Sequence, residues 1–261
     1  MGKKRLALVG CGKLGTIVAD AWKNGLLPEY ELVGVLGRTE ESAGKLAERI
    51  GCRACRSLED LLQLQPDYVA EMASVQAVKE MAEPVLCHGA NLVVLSIGAF
   101  ADPEFYEMVR RTAAEHGTRV HIASGAVGGF DVLRTVSLMG EVKASMTTHK
   151  GPLSLQNTPL FQEKLLEEGE KTEVFAGNTK EAIALLPTKV NVSVAASLAT
   201  VGPEQLDFHI FSVPGMAGDD HRIEAETEGI RAVVDIYSST AAIAGWSVVA
   251  LLQNLVSPIM F

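Results

Sequence analysis

Short, almost purely apolar runs alternate with longer stretches whose apolar positions recur at helical spacing, and this rhythm organises the first part of the chain. Residues 6–9, 31–36, 67–73, 91–96 and 119–123 are the apolar runs. Such runs suit strands buried on both faces. Between them, residues 16–22, 38–48, 58–64, 75–88 and 103–115 read as helices. In the last of these Phe105, Met108, Val109 and Ala113 share one face, and Gly117 stops it. Strands alternating with helices every 20 to 30 residues, with a further strand expected at Cys52–Cys55, predict a Rossmann-type, doubly wound parallel sheet, an α/β domain over residues 1–123.

The pattern changes at Ser124-Gly-Ala-Val-Gly-Gly129. A glycine-rich stretch directly after a strand suits either a backbone passing close to a ligand or a hinge between domains. Beyond it, residues 143–148, 208–213, 221–225 and 231–237 read as strands, the last two joined by a turn at Glu228-Gly229. Helical patterns cover 158–168, 179–186 and 190–200. We read residues 124–238 as an α+β, mostly antiparallel domain for substrate and catalysis. Residues 239–255 are apolar on nearly every side. The final segment, 239–261, is therefore expected to pack back on the first domain or on a partner subunit.

Composition narrows the function. The 261 residues carry a net charge of −9, which argues against a nucleic-acid partner. No apolar run reaches the ~18 residues of a membrane span, and no leader is recognised, so a cytoplasmic protein is expected. Cys11, Cys52, Cys55 and Cys87 fit a reducing compartment, and Cys52-Arg-Ala-Cys55 lacks the second pair that a zinc site would need. No metal is expected.

The strongest chemical signal is Gly10-Cys-Gly12-Lys13-Leu14-Gly15, set between the first strand and the first helix. Gly10 permits the tight turn, Gly12 lets backbone approach a pyrophosphate, and Gly15 lets helix and strand pack closely. At the end of the second strand, where a carboxylate would hold an adenosine ribose, the chain reads Leu36-Gly37-Arg38-Thr39. An arginine there suits a 2′-phosphate, so NADP is expected to serve at least as well as NAD. A solvated surface arginine is the bland alternative.

Several motifs in order resemble the L-aspartate dehydrogenase family over essentially the whole chain. They are GCGKLG, Glu71-Met-Ala73-Ser74, Ser96-Ile-Gly98-Ala99, Ser124 to Asp131, Lys150-Gly-Pro152, Pro187-Thr-Lys189-Val-Asn191-Val and Asp220-His221-Arg-Ile223. The resemblance implies oxidation of L-aspartate, through iminoaspartate, to oxaloacetate and ammonia, in some members feeding NAD synthesis. It implies His221 as the acid/base residue. Cofactor contacts are implied at Ala73, Ser74, Gly98, Ala126 and Asn191, beside those of the glycine loop. The sequence departs from the family at Lys189, where a first asparagine is usual, at Tyr237-Ser-Ser-Thr-Ala241, and at His149, often an arginine.

The chemistry asks for the same residue types. Oxidising an amine-bearing carbon needs a base for the amine proton and then an activator of water, and histidine suits both. A dicarboxylate amino acid needs cations, and Lys150, His149 and Lys189 are available. Among the other histidines, His88, His116, His121 and His209 suit surface or core positions. A related oxidoreductase acting on another short amino, oxo or imino acid is the nearest alternative. A nucleotide-sensing regulator is a more distant one. The apolar C-terminal segment and a sheet-rich second domain predict a homodimer.

Overall fold

Strand β1 (Lys4–Val9) pairs in parallel with β2 (Tyr30–Leu36) on one side and with β4 (Tyr68–Glu71) on the other. Leu6, Ala7 and Leu8 are wholly inaccessible, which is why this run carries no polar residue. The sheet continues through β3 (Arg53–Cys55), β5 (Asn91–Val94) and β6 (Val120–Ile122), in the order β3-β2-β1-β4-β5-β6. All its pairings are parallel. The crossover direction reverses between β1 and β4, and a crevice at the carboxyl ends of those strands is where such sheets take ligands.

Helices α1 (Lys13–Lys23), α2 (Glu40–Ile50), α3 (Leu58–Leu62), α4 (Val75–Cys87) and α5 (Pro103–His116) connect the strands. Their starts follow the sequence. Thr39, Ser57, Ser74 and Asp102 each accept a backbone N–H from the first turn of the helix that follows.

This computed structural model describes residues 2–167, 169–186 and 190–260, and the chain divides into two units. The first is Met1–Gly125 together with Ala242–Phe261. Its C-terminal contribution is α9 (Ala242–Val256), which packs on α1 with Gly245 against Ile17. A Cβ on Gly245 would approach Ile17 to 3.0 Å, so a larger residue would push the helices apart. Tyr30, fully buried, donates its hydroxyl to the Leu252 carbonyl at 2.7 Å.

The second unit, Ala126–Ala241, is built on a mixed sheet. Its strands are β7 (Lys143–Lys150), β8 (Thr172–Asn178), β9 (Asp207–Ser212), β10 (Asp219–Thr227) and β11 (Ile230–Ser238), in the order β11-β10-β7-β9-β8. Only β7 with β9 is a parallel pair among these; the others are antiparallel. One face buries Met146, Thr148, Phe208, Ile210, His221 and Ile223. Helix α6 (Phe130–Ser137) packs on β10 and β11 and against α8 (Asn191–Ala199), and α7 (Thr179–Leu185) packs on β8 and β9.

Two elements, α6 and β8, do not follow from the sequence pattern. Conversely, the helical pattern at 158–168 yields a single 3-10 turn, Glu163–Leu166. Leu165 is buried there while Leu166 is exposed. Residue 168 lies outside the described residues.

Candidate functional site

At the carboxyl end of β1 the glycine loop has the shape that a dinucleotide requires. Gly10 has φ +107°, and a Cβ there would come within 2.5 Å of the Met72 carbonyl oxygen. A Cβ on Gly15 would meet the Gly10 oxygen at 1.8 Å, so α1 can approach β1 this closely only without a side chain. Gly12 faces open space and caps α1 with no side chain of its own, and the first turn carries no acidic residue. The N–H groups of that turn, with Lys13 exposed and Leu14 half-buried beside them, are therefore available to a phosphate.

Around the same end of the sheet, Arg38 and Thr39 are exposed at the end of β2, and the Arg38 guanidinium makes no ion pair among the described residues. Thr39 is occupied as the cap of α2, accepting the Ser42 N–H at 3.2 Å. A Cβ on Gly37 would meet the Ser42 hydroxyl at 2.5 Å and the Ala43 nitrogen at 3.0 Å, so a side chain there would require Ser42 to move.

Glu71 lies at the end of β4. It is wholly buried. Its Oε1 accepts from the Ala73 N–H and the Ser96 hydroxyl, both at 2.7 Å, and its Oε2 accepts from the N–H groups of Ser96 and Leu95 at 3.0 and 3.3 Å. Burial pushes its pKa up, and those donors pull against the rise. One carboxylate thus ties the β4 loop, which carries Ala73 and Ser74, to the β5 loop, which leads to Gly98. Ser74 in turn caps α4 through the Ala77 N–H at 3.1 Å.

In the second unit the chemistry gathers in a cavity of about 510 Å³. It is lined by His221, Thr148, Lys150 and Asp219 from the sheet, by Asn191 at the start of α8, and by Ala126 and Ala241. Strand register explains the grouping. Thr148 pairs with His221 and Lys150 with Asp219 across the antiparallel β7–β10 ladder. Residues two apart on a strand share a face, so all four side chains project from the same side. Thr148 and Asp219 carried no assignment from the sequence; the signal for both is that two-residue period counted back from Lys150 and His221.

His221 is 5% exposed, and its Nδ1 lies 3.0 Å from Thr148 Oγ1. Burial, joined by the Lys150 ammonium, pulls the imidazole down to about 4, although Asp219 and Asp220 act in the opposite direction. At neutral pH the ring is therefore uncharged and able to accept a proton. Lys150 Nζ sits 2.8 Å from Asp219 Oδ1, with the lysine side chain 14% exposed. Ser212, the register partner of Lys150 on β9, buries a hydroxyl that has no hydrogen-bond partner among the described residues.

The other expected substrate contacts fare differently. His149 does not reach this cavity. As the neighbour of Thr148 and Lys150 it points to the opposite face, where its Nδ1 meets Asp220 at 3.2 Å and its ring lies by Phe211. The sequence grouped it with Lys150 by adjacency, and the pleat separates them. Lys189 lies outside the described residues. His209 also faces away from the cavity, held between Glu173 at 2.6 Å and Asp207 at 3.1 Å.

Comparison with known proteins gives a consistent picture. Residues 131–255 match the family model described as aspartate dehydrogenase, C-terminal. Residues 10–123 match the one described as homoserine dehydrogenase, NAD binding domain. An L-aspartate dehydrogenase of Methanococcus maripaludis is 31% identical over 98% of each chain. That of Methanocaldococcus jannaschii is 28% identical over 98% of each. The crystal structure of aspartate dehydrogenase from Thermotoga maritima superposes with a TM-score of 0.76 at 26% identity, covering 99% of each chain.

Proposed function

Because the chain belongs to the L-aspartate dehydrogenase family, we propose that it oxidises L-aspartate, through iminoaspartate, to oxaloacetate and ammonia. It is an oxidoreductase with a nicotinamide-cofactor domain. The observation that carries the substrate reading is the buried, neutral His221 in a cavity that also holds the Lys150 ammonium. A general base must be uncharged at working pH and within reach of the reacting group, and the lysine supplies a counter-charge for a substrate carboxylate.

The residues divide the work as follows. The N–H groups at Gly12, Lys13, Leu14 and Gly15 would hold the cofactor pyrophosphate, with Ala73, Ser74 and Gly98 as further contacts in the same unit. Ala126 and Asn191 would be its contacts in the second unit. The cofactor, when bound, supplies the acceptor for the hydride of the substrate α-carbon. His221 takes a proton from the α-ammonium so that the nitrogen lone pair can stabilise the oxidised carbon. After that proton has left the site, the imidazole takes a second one from the water that adds to the imine carbon and returns it to the carbinolamine nitrogen; the C–N bond then breaks, ammonia departs, and the hydroxyl proton passes to the imidazole as the carbonyl forms. Thr148 holds Nδ1, which leaves Nε2 for both transfers.

Arg38, exposed and without an ion pair among the described residues, is the basis for assigning NADP a place at least equal to NAD. Half-buried Leu251 and Leu255 and the exposed Trp246 on α9, with exposed Tyr237 on β11, favour a homodimer. The test is nicotinamide absorbance with L-aspartate and each cofactor, in wild type and in Arg38→Asp. Turnover of L-aspartate is expected, and Arg38→Asp should weaken NADP about 10- to 100-fold while sparing NAD, as loss of a charge-assisted contact does. Turnover of another amino acid but not of L-aspartate would overturn the substrate. NAD binding far more tightly than NADP in wild type would overturn the role of Arg38.

A further inference from the structure

Asp219 is the acidic side chain of the His221 cavity, and the reaction as described gives it nothing to do. A carboxylate is a poor companion for a dicarboxylate substrate, since like charges repel at short range. Lys150 does not need it as a partner either, because a substrate carboxylate would serve the ammonium as well. Its placement offers a better reason. Asp219 stands two residues before His221 on β10, so both side chains project into the same cavity. It is the more open member of its ion pair, 38% exposed against 14% for Lys150. Among the described residues, with Lys150 and Asp219 paired and His221 neutral, the lining offers one charge of each sign. A substrate with an α-ammonium and carboxylates matches that set, whereas a plain dicarboxylate does not.

We propose that Asp219 binds the substrate α-ammonium and so selects amino dicarboxylates over those without an amine, while Lys150 receives a carboxylate. Asp219 then holds the ammonium beside the base that deprotonates it. This rests on the L-aspartate reading of the same cavity and adds the residue that recognises the amine.

Calorimetric titration of the enzyme saturated with reduced nicotinamide cofactor tests it, because L-aspartate and succinate then bind without turnover and differ only in the amine. In wild type L-aspartate binds more tightly than succinate. In Asp219→Asn and Asp219→Ser that preference should fall about tenfold or more, with succinate unchanged or tighter because Lys150 is released. Asp219→Glu, which keeps the charge, should retain most of the preference. If both ligands tighten or weaken together, Asp219 only tunes Lys150 and the proposal fails. It fails equally if the preference survives in both neutral variants. Wild-type enzyme that does not oxidise L-aspartate would instead overturn the substrate reading, a result separable from these titrations.

Discussion

Thr148 and His221 face each other across β7 and β10, and this pairing governs the charge of the imidazole. A hydroxyl can satisfy Nδ1 without adding the negative charge that would favour imidazolium, so burial dominates. The folded pKa, about 4, lies below the ordinary value of 6.5. In the unfolded chain the ring binds a proton that the folded chain excludes. Stability is thus full above pH 6.5 and declines as pH falls towards 4, with no further loss from this group below that. The acid limb of kcat/KM should likewise lie below pH 5, well under a free histidine's. Thr148→Asp should move that limb upward, Thr148→Ser should leave it in place, and Thr148→Val should cost about tenfold in kcat while retaining cofactor affinity. A pH profile identical in all four proteins would show that Thr148 only fills space.

At the scale of elements, Glu71 binds two loop ends into one surface. Both of its oxygens face donors, so only a carboxylate satisfies the arrangement. Glu71→Gln sets an amide NH2 against N–H groups, at a cost of about 1–3 kcal/mol. Thermal unfolding should therefore come a few degrees earlier, and cofactor should bind more weakly because Ala73, Ser74 and Gly98 lose their anchor. An unchanged melting temperature and cofactor affinity would contradict this role. The same elements show what a sequence can and cannot reveal. Strands β1 and β5 were legible because burial on both faces leaves uninterrupted apolar runs, and the glycine loop because each glycine answers a local steric demand. Strand β8 was not. It is an edge strand with an irregular register between Glu173 and Phe175, and its Ala176-Gly177-Asn178 end has little strand character. Helix α6 was hidden by its cap, Gly129 at φ +69°, which carries no side-chain signal. His221 and Lys150 were legible as candidates, but their union with Thr148 and Asp219 depends on cross-strand register, which composition does not encode.

For the whole molecule, membership of the family describes a chain whose parts serve one reaction, and among the described residues no helix is long and apolar enough to cross a membrane. Assembly can be read directly: light scattering at micromolar concentration should give the mass of two chains, and a monomer throughout would remove the dimer. The central claim is that His221 performs the proton transfers. It is tested most directly by steady-state turnover of L-aspartate in His221→Ala, with cofactor affinity measured on the same preparation. His209→Ala, altered on the opposite sheet face, is the control. The account predicts a fall in kcat of about 10²–10⁴-fold for His221→Ala, the range typical of a general acid–base group, with cofactor affinity within about twofold of wild type and His209→Ala near normal. Near-normal turnover in His221→Ala would contradict it.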